Sequence, residues 1–137
     1  MNSTKLIIYT DGGARGNPGP AGIGVVIYNH QKEILGQYKK FLGVATNNQA
    51  EYQAVVLALE KAQELGGEEI DFFLDSELVV GQLSQTMKVK NKELAKIFVK
   101  IWNLALGFKR IKYHHVPREE NKLADKLVNQ AIDQKQE

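Results

Sequence analysis

The stretch EILGQYKKFLGVATNNQAEYQAVVLALEKAQELGG, residues 33–67, changes its hydrophobic period partway along. As far as Phe41, Ile34, Gly36 and Tyr38 alternate with Leu35, Gln37 and Lys39, which is the period of two that marks a β-strand. From Thr46 the period is helical, with Ala50, Ala54, Leu57, Ala58 and Leu65 on one stripe. The T-x-x-Q spacing of Thr46 and Gln49 is that of a capping box, and Gly66-Gly67 gives the helix a glycine stop. A strand therefore runs almost directly into a helix, and the flanking sequence extends that pattern in both directions.

Upstream, residues 5–10 form a short apolar run, and Ile23, Val25 and Ile27 alternate with small or apolar residues until Tyr28-Asn29-His30-Gln31 breaks the pattern. The first forty residues thus read as an antiparallel meander with tight turns. Between the first two strands, residues 12–20 (GGARGNPGP) are too rich in Gly and Pro for regular structure, and such a loop can bring backbone N–H groups close to a ligand. Downstream, residues 70–74 read as a buried strand, 76–85 as a brief helix, and 91–106 as a longer helix turning Leu94, Ile97, Phe98, Ile101, Leu104 and Ala105 to the core. Trp102 lies beside that stripe and reads as packing. Residues 108–116 form a strand ended by Pro117, and Asn121 caps a last helix whose inner face is Leu123, Ala124, Leu127, Val128, Ala131 and Ile132. A meander followed by α, β, αα, β, α predicts an α/β fold: a mixed sheet with helices on its faces and the later strands parallel through right-handed crossovers.

A length of 137 residues predicts a single domain, 1–137, and the 43% hydrophobic and 25% charged composition is that of a globular chain. With no cysteine, disulfides, thiolate metal sites and cysteine nucleophiles are excluded, so a metal must sit on oxygen or histidine. The apolar run near the N-terminus is too short for a signal peptide or a membrane span, so a cytoplasmic protein is expected. The net charge of +2 is uninformative, but its distribution is not. Residues 47–77 carry eight acids against Lys61 alone, and residues 86–112 carry eight bases against Glu93 alone. Such a split suits a polyanion-binding surface beside an acidic metal site.

In open α/β sheets the chemistry gathers at the carboxyl ends of strands. Asp11 follows the first strand and Asp75 the strand at 70–74; if those strands are parallel neighbours, the two carboxylates emerge side by side. Glu51 lies early in the first long helix and Asp125 early in the last. Each alone reads equally well as a turn or surface acid. Together they would repel and raise one another's pKa unless a cation neutralised them, and the oxygen-preferring Mg²⁺ is the natural occupant. Asn47 and Asn48, poor helix formers, are free to offer amides to sugar or phosphate.

Four segments, YTDGGARGNPGP (9–20), TNNQAEYQA (46–54), LDSELV (74–79) and NKLADKLVNQA (121–131), resemble in order and spacing the type 1 ribonuclease H family, which hydrolyses the RNA strand of RNA–DNA hybrids. The resemblance spans nearly the whole chain. It implies a five-stranded mixed sheet of order 3-2-1-4-5 with helices on both faces, and an Asp-Glu-Asp-Asp metal set at Asp11, Glu51, Asp75 and Asp125. It also implies two Mg²⁺ ions (Mn²⁺ a possible substitute), an RNA–DNA hybrid as substrate, and products with 5′-phosphate and 3′-hydroxyl ends. Gly12, Asn17, Asn47, Asn48 and Gln49 match family contacts to the RNA strand, and Thr46 a contact to a DNA phosphate. A monomer without an obligatory protein partner is expected.

The chain departs from the family pattern twice. His115 stands ten residues before Asp125, the distance usual for a loop histidine that assists product release, but it precedes Pro117 on a strand. Arg118 is therefore expected to supply the cation near the site, with His114 and His115 structural. The basic protrusion of some relatives is also missing; residues 87–93 form a short link, and bases from Lys88 to Lys100 partly replace it. The rival readings are a same-fold nuclease acting on double-stranded RNA or junctions, and a catalytically silent hybrid-binding module. The latter would need one of the four acids replaced, and none is.

Overall fold

The computed structural model describes residues 4–135; the ends of the expected 1–137 unit, residues 1–3 and 136–137, lie outside the described residues. The chain runs β1 (Lys5–Ala14), β2 (Gly19–Asn29), β3 (Ile34–Ala45), α1 (Asn47–Glu64), β4 (Glu69–Leu74), α2 (Glu77–Leu83), α3 (Lys92–Ala105), β5 (Arg110–His115), a 3-10 turn (Arg118–Glu120) and α4 (Lys122–Gln134). The sheet order is β3-β2-β1-β4-β5, as expected. β1 pairs antiparallel with β2, and β2 with β3, while β1/β4 and β4/β5 are parallel. Among the described residues no helix is long and apolar enough to cross a membrane.

Alternation along the strands assigns the layers. Leu6, Ile8, Val25, Ile27, Ile70 and Phe72 point to one face and pack with Tyr52, Val55 and Leu59 of α1 and with Leu94 and Ile101 of α3. Val26 points to the other face and meets Ala124 and Leu127 of α4. Helix α1 is buried nearly all round, on Tyr52, Val55, Val56 and Leu59 as well as the alanines, because α3 covers the side that β1 and β2 do not. A single stripe therefore understates its burial, and Leu65, expected on that stripe, is exposed past the helix end. The expected glycine stop is present: Gly66 takes φ +73°, and the N–H groups of Gly66 and Gly67 donate to the carbonyls of Gln63 and Ala62.

Three readings need correction. β1 and β2 reach well into the Gly-rich stretch, so only residues 15–18 are loop, and Asp11 lies within β1 rather than after it. The glycines do not break these strands; they let helices press on them. A Cβ at Gly24 would run into the Ala124 carbonyl and lie 2.8 Å from Leu127 Cβ of α4. The loop amides are also taken up internally, Ala14 N–H donating to Asn47 Oδ1 (2.8 Å) and Arg15 N–H to the Pro20 carbonyl (2.8 Å). Finally, Asn121 does not cap α4 with its side chain, which turns inward instead. In α3, Leu94 and Ile101 are buried, Ile97, Phe98 and Leu104 pack at the core's edge, and Trp102 is 47% exposed with its ring against Phe98.

Candidate active site

The parallel pairing of β1 and β4 sets the site. Their register ends at Tyr9↔Phe73, so two residues further on Asp11 and Asp75 stand side by side on the same face. The crossover from β3 into α1 brings Glu51 over them from the helix whose start is fixed by the expected capping box. Gln49 N–H donates to Thr46 Oγ1 (3.1 Å), and Thr46 N–H to Gln49 Oε1 (2.9 Å). Asp11, Glu51 and Asp75 each offer an oxygen within 4.8 Å of the others. Asp125, in the first turn of α4, stands outside this trio but lines the same cleft of about 390 Å³, together with Gly12, Asn47 and Arg118.

Electrostatics follow from the crowding. The Asp11 carboxyl is pushed up to about 8 by burial and then by the charges of Asp75, Asp125 and Glu51, against a lowering hydrogen bond from Gly12 N–H. Glu51 is pushed up to about 7, chiefly by burial and also by Asp75, while a hydrogen bond from Ser76 opposes the rise. Ser76 is doubly used, since its Oγ also accepts from Val79 N–H (3.2 Å) as the N-cap of α2. Glu51 Oε2 is buried with no hydrogen-bond partner. An orphaned carboxylate oxygen beside two other acids fits a hard, oxygen-seeking divalent cation, whose charge would cancel the repulsion. Asp11, Glu51 and Asp75 are the residues whose oxygens lie close enough together to share it.

Sequence reasoning missed the residues that hold these acids. Asn121 is buried, and its Nδ2 donates to the Thr10 carbonyl (2.9 Å) and to Asp75 Oδ2 (3.2 Å), tying α4 to β1 and β4. Both Asn121 and Ser76 lie in the quoted motifs, where Asn121 reads as a helix cap and Ser76 only as the start of a brief helix. The remaining expected contact residues cluster at the start of α1. Asn47 N–H donates to Asn17 Oδ1 (3.0 Å), so Asn17 and Asn47 brace the β1–β2 loop against the helix, with Asn48 half-buried beside them. Of the two histidines, His114 stacks on Phe73 (4.9 Å between centroids) and brings Nε2 within 2.9 Å of Asp71 Oδ1. His115 is exposed at the end of β5 and does not line the cleft, whereas Arg118 does. A second cavity, of about 430 Å³ between α2, α3 and β5, is lined by Phe98, Trp102, Lys112, Tyr113 and His114 and by no carboxylate.

These shifts predict how metal-free stability depends on pH. Both acids have folded-state values above their ordinary ones, so the folded protein holds protons that the unfolded chain has released. Their stabilising contribution is complete below about pH 4 and is lost as pH rises through about 7 and 8. In chelator, the melting temperature is expected to fall by about 5 °C or more between pH 5 and 8.5, given that ~1 kcal/mol shifts a domain of this size by some 3–5 °C. Mg²⁺ should restore most of the loss at the alkaline end and little at pH 5. Thermal melts in chelator and in Mg²⁺ across that range check this, and a flat chelator profile would contradict the repulsion.

A family model described as Reverse transcriptase-like matches residues 9–131. The bifunctional protein Rv2228c of Mycobacterium tuberculosis is 45% identical over 130 residues, covering 94% of this chain and 36% of that protein. Ribonuclease HI of Halobacterium salinarum is 41% identical over 129 residues, covering 94% of this chain and 65% of its own. The chain thus spans between a third and two thirds of the length of these relatives. Among solved structures, an RNase H1 from the same archaeon superposes with a TM-score of 0.92 at 39% identity, covering 95% of this chain and 98% of that one. LC11-RNase H1, solved in complex with an RNA/DNA hybrid, superposes with a TM-score of 0.90 at 46% identity, covering 94% and 97%.

Proposed function

Since the chain belongs to the ribonuclease H family of the reverse transcriptase-like group, we propose that it is a divalent-metal-dependent endonuclease that hydrolyses the RNA strand of RNA–DNA hybrids. The observation that carries this reading is the trio Asp11, Glu51 and Asp75, with oxygens within 4.8 Å and two of its three carboxyls pushed up in pKa. The hybrid found in the LC11-RNase H1 complex supports the substrate. Two Mg²⁺ ions, or Mn²⁺ in their place, would lower the pKa of a bound water and neutralise charge on the leaving oxygen. In-line attack of water on phosphorus forms the new P–O bond and breaks the bond to the 3′ oxygen, leaving 5′-phosphate and 3′-hydroxyl ends.

The protein's own groups do the positioning. Asp11 and Asp75 fix the cation site from adjacent strands, and Glu51 closes it from α1. Asn17, Asn47, Asn48 and Gln49, with Gly12, present amides and backbone to the RNA strand, and Thr46 faces a DNA phosphate. The bases of the link and of α3, from Lys88 to Lys100, supply charge along the duplex. The reading includes a monomer acting in the cytoplasm. A strand-labelled hybrid incubated with and without Mg²⁺, beside double-stranded RNA and double-stranded DNA, tests it. RNA-strand cleavage restricted to the hybrid is expected. Cleavage that persists in excess chelator, or products ending in a 2′,3′-cyclic phosphate, would contradict the mechanism.

Arg118 is proposed to hold phosphate oxygens near the acids, because it lines the cleft and its forked guanidinium matches the geometry of a phosphate. Arg118→Ala is expected to lower kcat by roughly tenfold or more, the scale of one lost charge-assisted contact in the transition state. His115→Ala should stay within about twofold of the parent, since its ring lies outside the cleft. Steady-state kinetics on one hybrid compares them, and a large fall for His115→Ala with a small one for Arg118→Ala would reverse the assignment.

A further inference from the structure

Arg15 is the only charged residue of the GGARGNPGP stretch, and the mechanism above gives it no part. Its guanidinium reaches across to α4 with both arms: Nη1 lies 2.6 Å from Asp133 Oδ1, and Nη2 donates to Asn129 Oδ1 at 3.2 Å. Asn129 in turn donates from Nδ2 to the Asp125 backbone carbonyl (3.1 Å) and reaches the Asp125 carboxylate at 3.5 Å. Asp125, Asn129 and Asp133 are spaced by four residues and so form one row along α4.

We infer that Arg15 is a positioning residue: clamped to Asp133, it orients the Asn129 amide so that Asn129 holds the Asp125 carboxylate at the mouth of the cleft. The inference rests on the metal-dependent reading above. Asp125 needs such a hold because it stands outside the trio of converging acids. The Asn121 side chain anchors Asp75, and that of Ser76 anchors Glu51, whereas the side-chain partner of the Asp125 carboxylate is Asn129. The Asn129 amide has two orientations of nearly equal shape; the Nη2 donor on its oxygen, together with the Asp125 carbonyl that accepts from its NH₂ group, fixes that group toward Asp125. The base of the clamp is itself braced, since Arg15 N–H bonds to Pro20 and the neighbouring Ala14 N–H to Asn47. The clamp therefore links the β1 end that carries Asp11 to the helix that carries Asp125. Because Asp133 already pairs the Arg15 charge, the contribution is geometric and needs two arms.

Lysine supplies the charge but not the fork, so Arg15→Lys separates the two roles. The test measures Mn²⁺ binding to the substrate-free protein by calorimetry, for the parent, Arg15→Lys, Asn129→Ala and the double variant, with kcat and KM on a hybrid alongside. Arg15→Lys and Asn129→Ala are each expected to weaken Mn²⁺ binding roughly tenfold, as loss of an outer partner of a metal ligand does, and the double variant should be no worse than either. KM for the hybrid should change less than about twofold. Melting in chelator checks the fold, and Asn129→Ala, on the exposed side of α4, keeps the clamp testable if an Arg15 variant unfolds. Parent-like Mn²⁺ affinity in Arg15→Lys, or unchanged metal binding with a raised KM and a weaker salt dependence, would overturn the clamp and make Arg15 a phosphate contact. Failure of the parent to cut any hybrid would instead strike the nuclease reading, while the Mn²⁺ titration still judges the clamp.

Discussion

Asp11→Asn is expected to lower turnover on an RNA–DNA hybrid by roughly 10³-fold or more, and Asp75→Asn by a similar factor, because each removes several kcal/mol of metal-derived transition-state stabilisation. The same substitutions should leave the metal-free fold as stable as the parent or more so. Asp11 is half-buried among Asp75, Asp125 and Glu51, and its carboxyl is pushed up to about 8, so at pH 8.5 its charge costs the folded state more than it returns. An amide of the same shape removes that cost. In chelator, Asp11→Asn should therefore melt above the parent at pH 8.5, with the two curves converging toward pH 5, where Asp11 is already protonated. Steady-state kinetics at saturating Mg²⁺ and melts at the two pH values check the pair of effects. Near-parental activity in either variant would remove the acid cluster from the chemistry, and a loss of stability at pH 8.5 would mean the carboxylate makes a favourable contact that the repulsion hides.

Gly12→Ala is expected to destabilise the protein by about 3 kcal/mol or more, at the upper end of the cost of overpacking. A Cβ at this position would lie 2.5 Å from Glu51 N and would overlap the Ala50 carbonyl group, all backbone atoms of α1 that no rotamer change can move aside. The helix would have to lift from β1 as a body, carrying Glu51 away from Asp11 and Asp75, so activity should fall with stability. Gly13 is the control. A Cβ there meets only Val128 Cγ1 at 3.8 Å and Asn47 Oδ1 at 3.9 Å, ordinary contact distances, and Gly13→Ala should cost less than about 1 kcal/mol. Urea denaturation of both variants decides the matter; equal midpoints would show that α1 and β1 can part without loss.

What the sequence makes legible here is periodic or short-range. The strand-to-helix change at Thr46, the capping box and the glycine stop depend on neighbours within a turn or two, and all are found in place. The strand ends were misplaced because glycine has two opposite uses. In the hairpin it lets the chain turn, while at Gly12 and Gly24 it removes the Cβ that would hold a helix off the sheet, and only the tertiary approach of α1 and α4 tells these apart. The supports of the acids were hidden for a related reason. Asn121 has the identity of a helix cap and the position of one, and its amide is drawn instead to a carbonyl and a carboxylate distant in sequence. Arg15 likewise reads as a loop cation, and its partners 114 and 118 residues away leave no local trace.

Those long reaches have a consequence for the timing of synthesis. The bond from Asn121 to Thr10 joins residues 111 positions apart, and α4 is the last helix of the described chain. At a translation rate of about 5–20 residues per second, roughly 5–20 s separate the making of Thr10 from that of Asn121. Throughout that interval the nascent chain holds Asp11 but lacks Asp125 and the helix that seals the second face of the sheet. A chain halted before α4 emerges therefore carries Asp11, Glu51 and Asp75 beside a sheet whose second face has no helix over it.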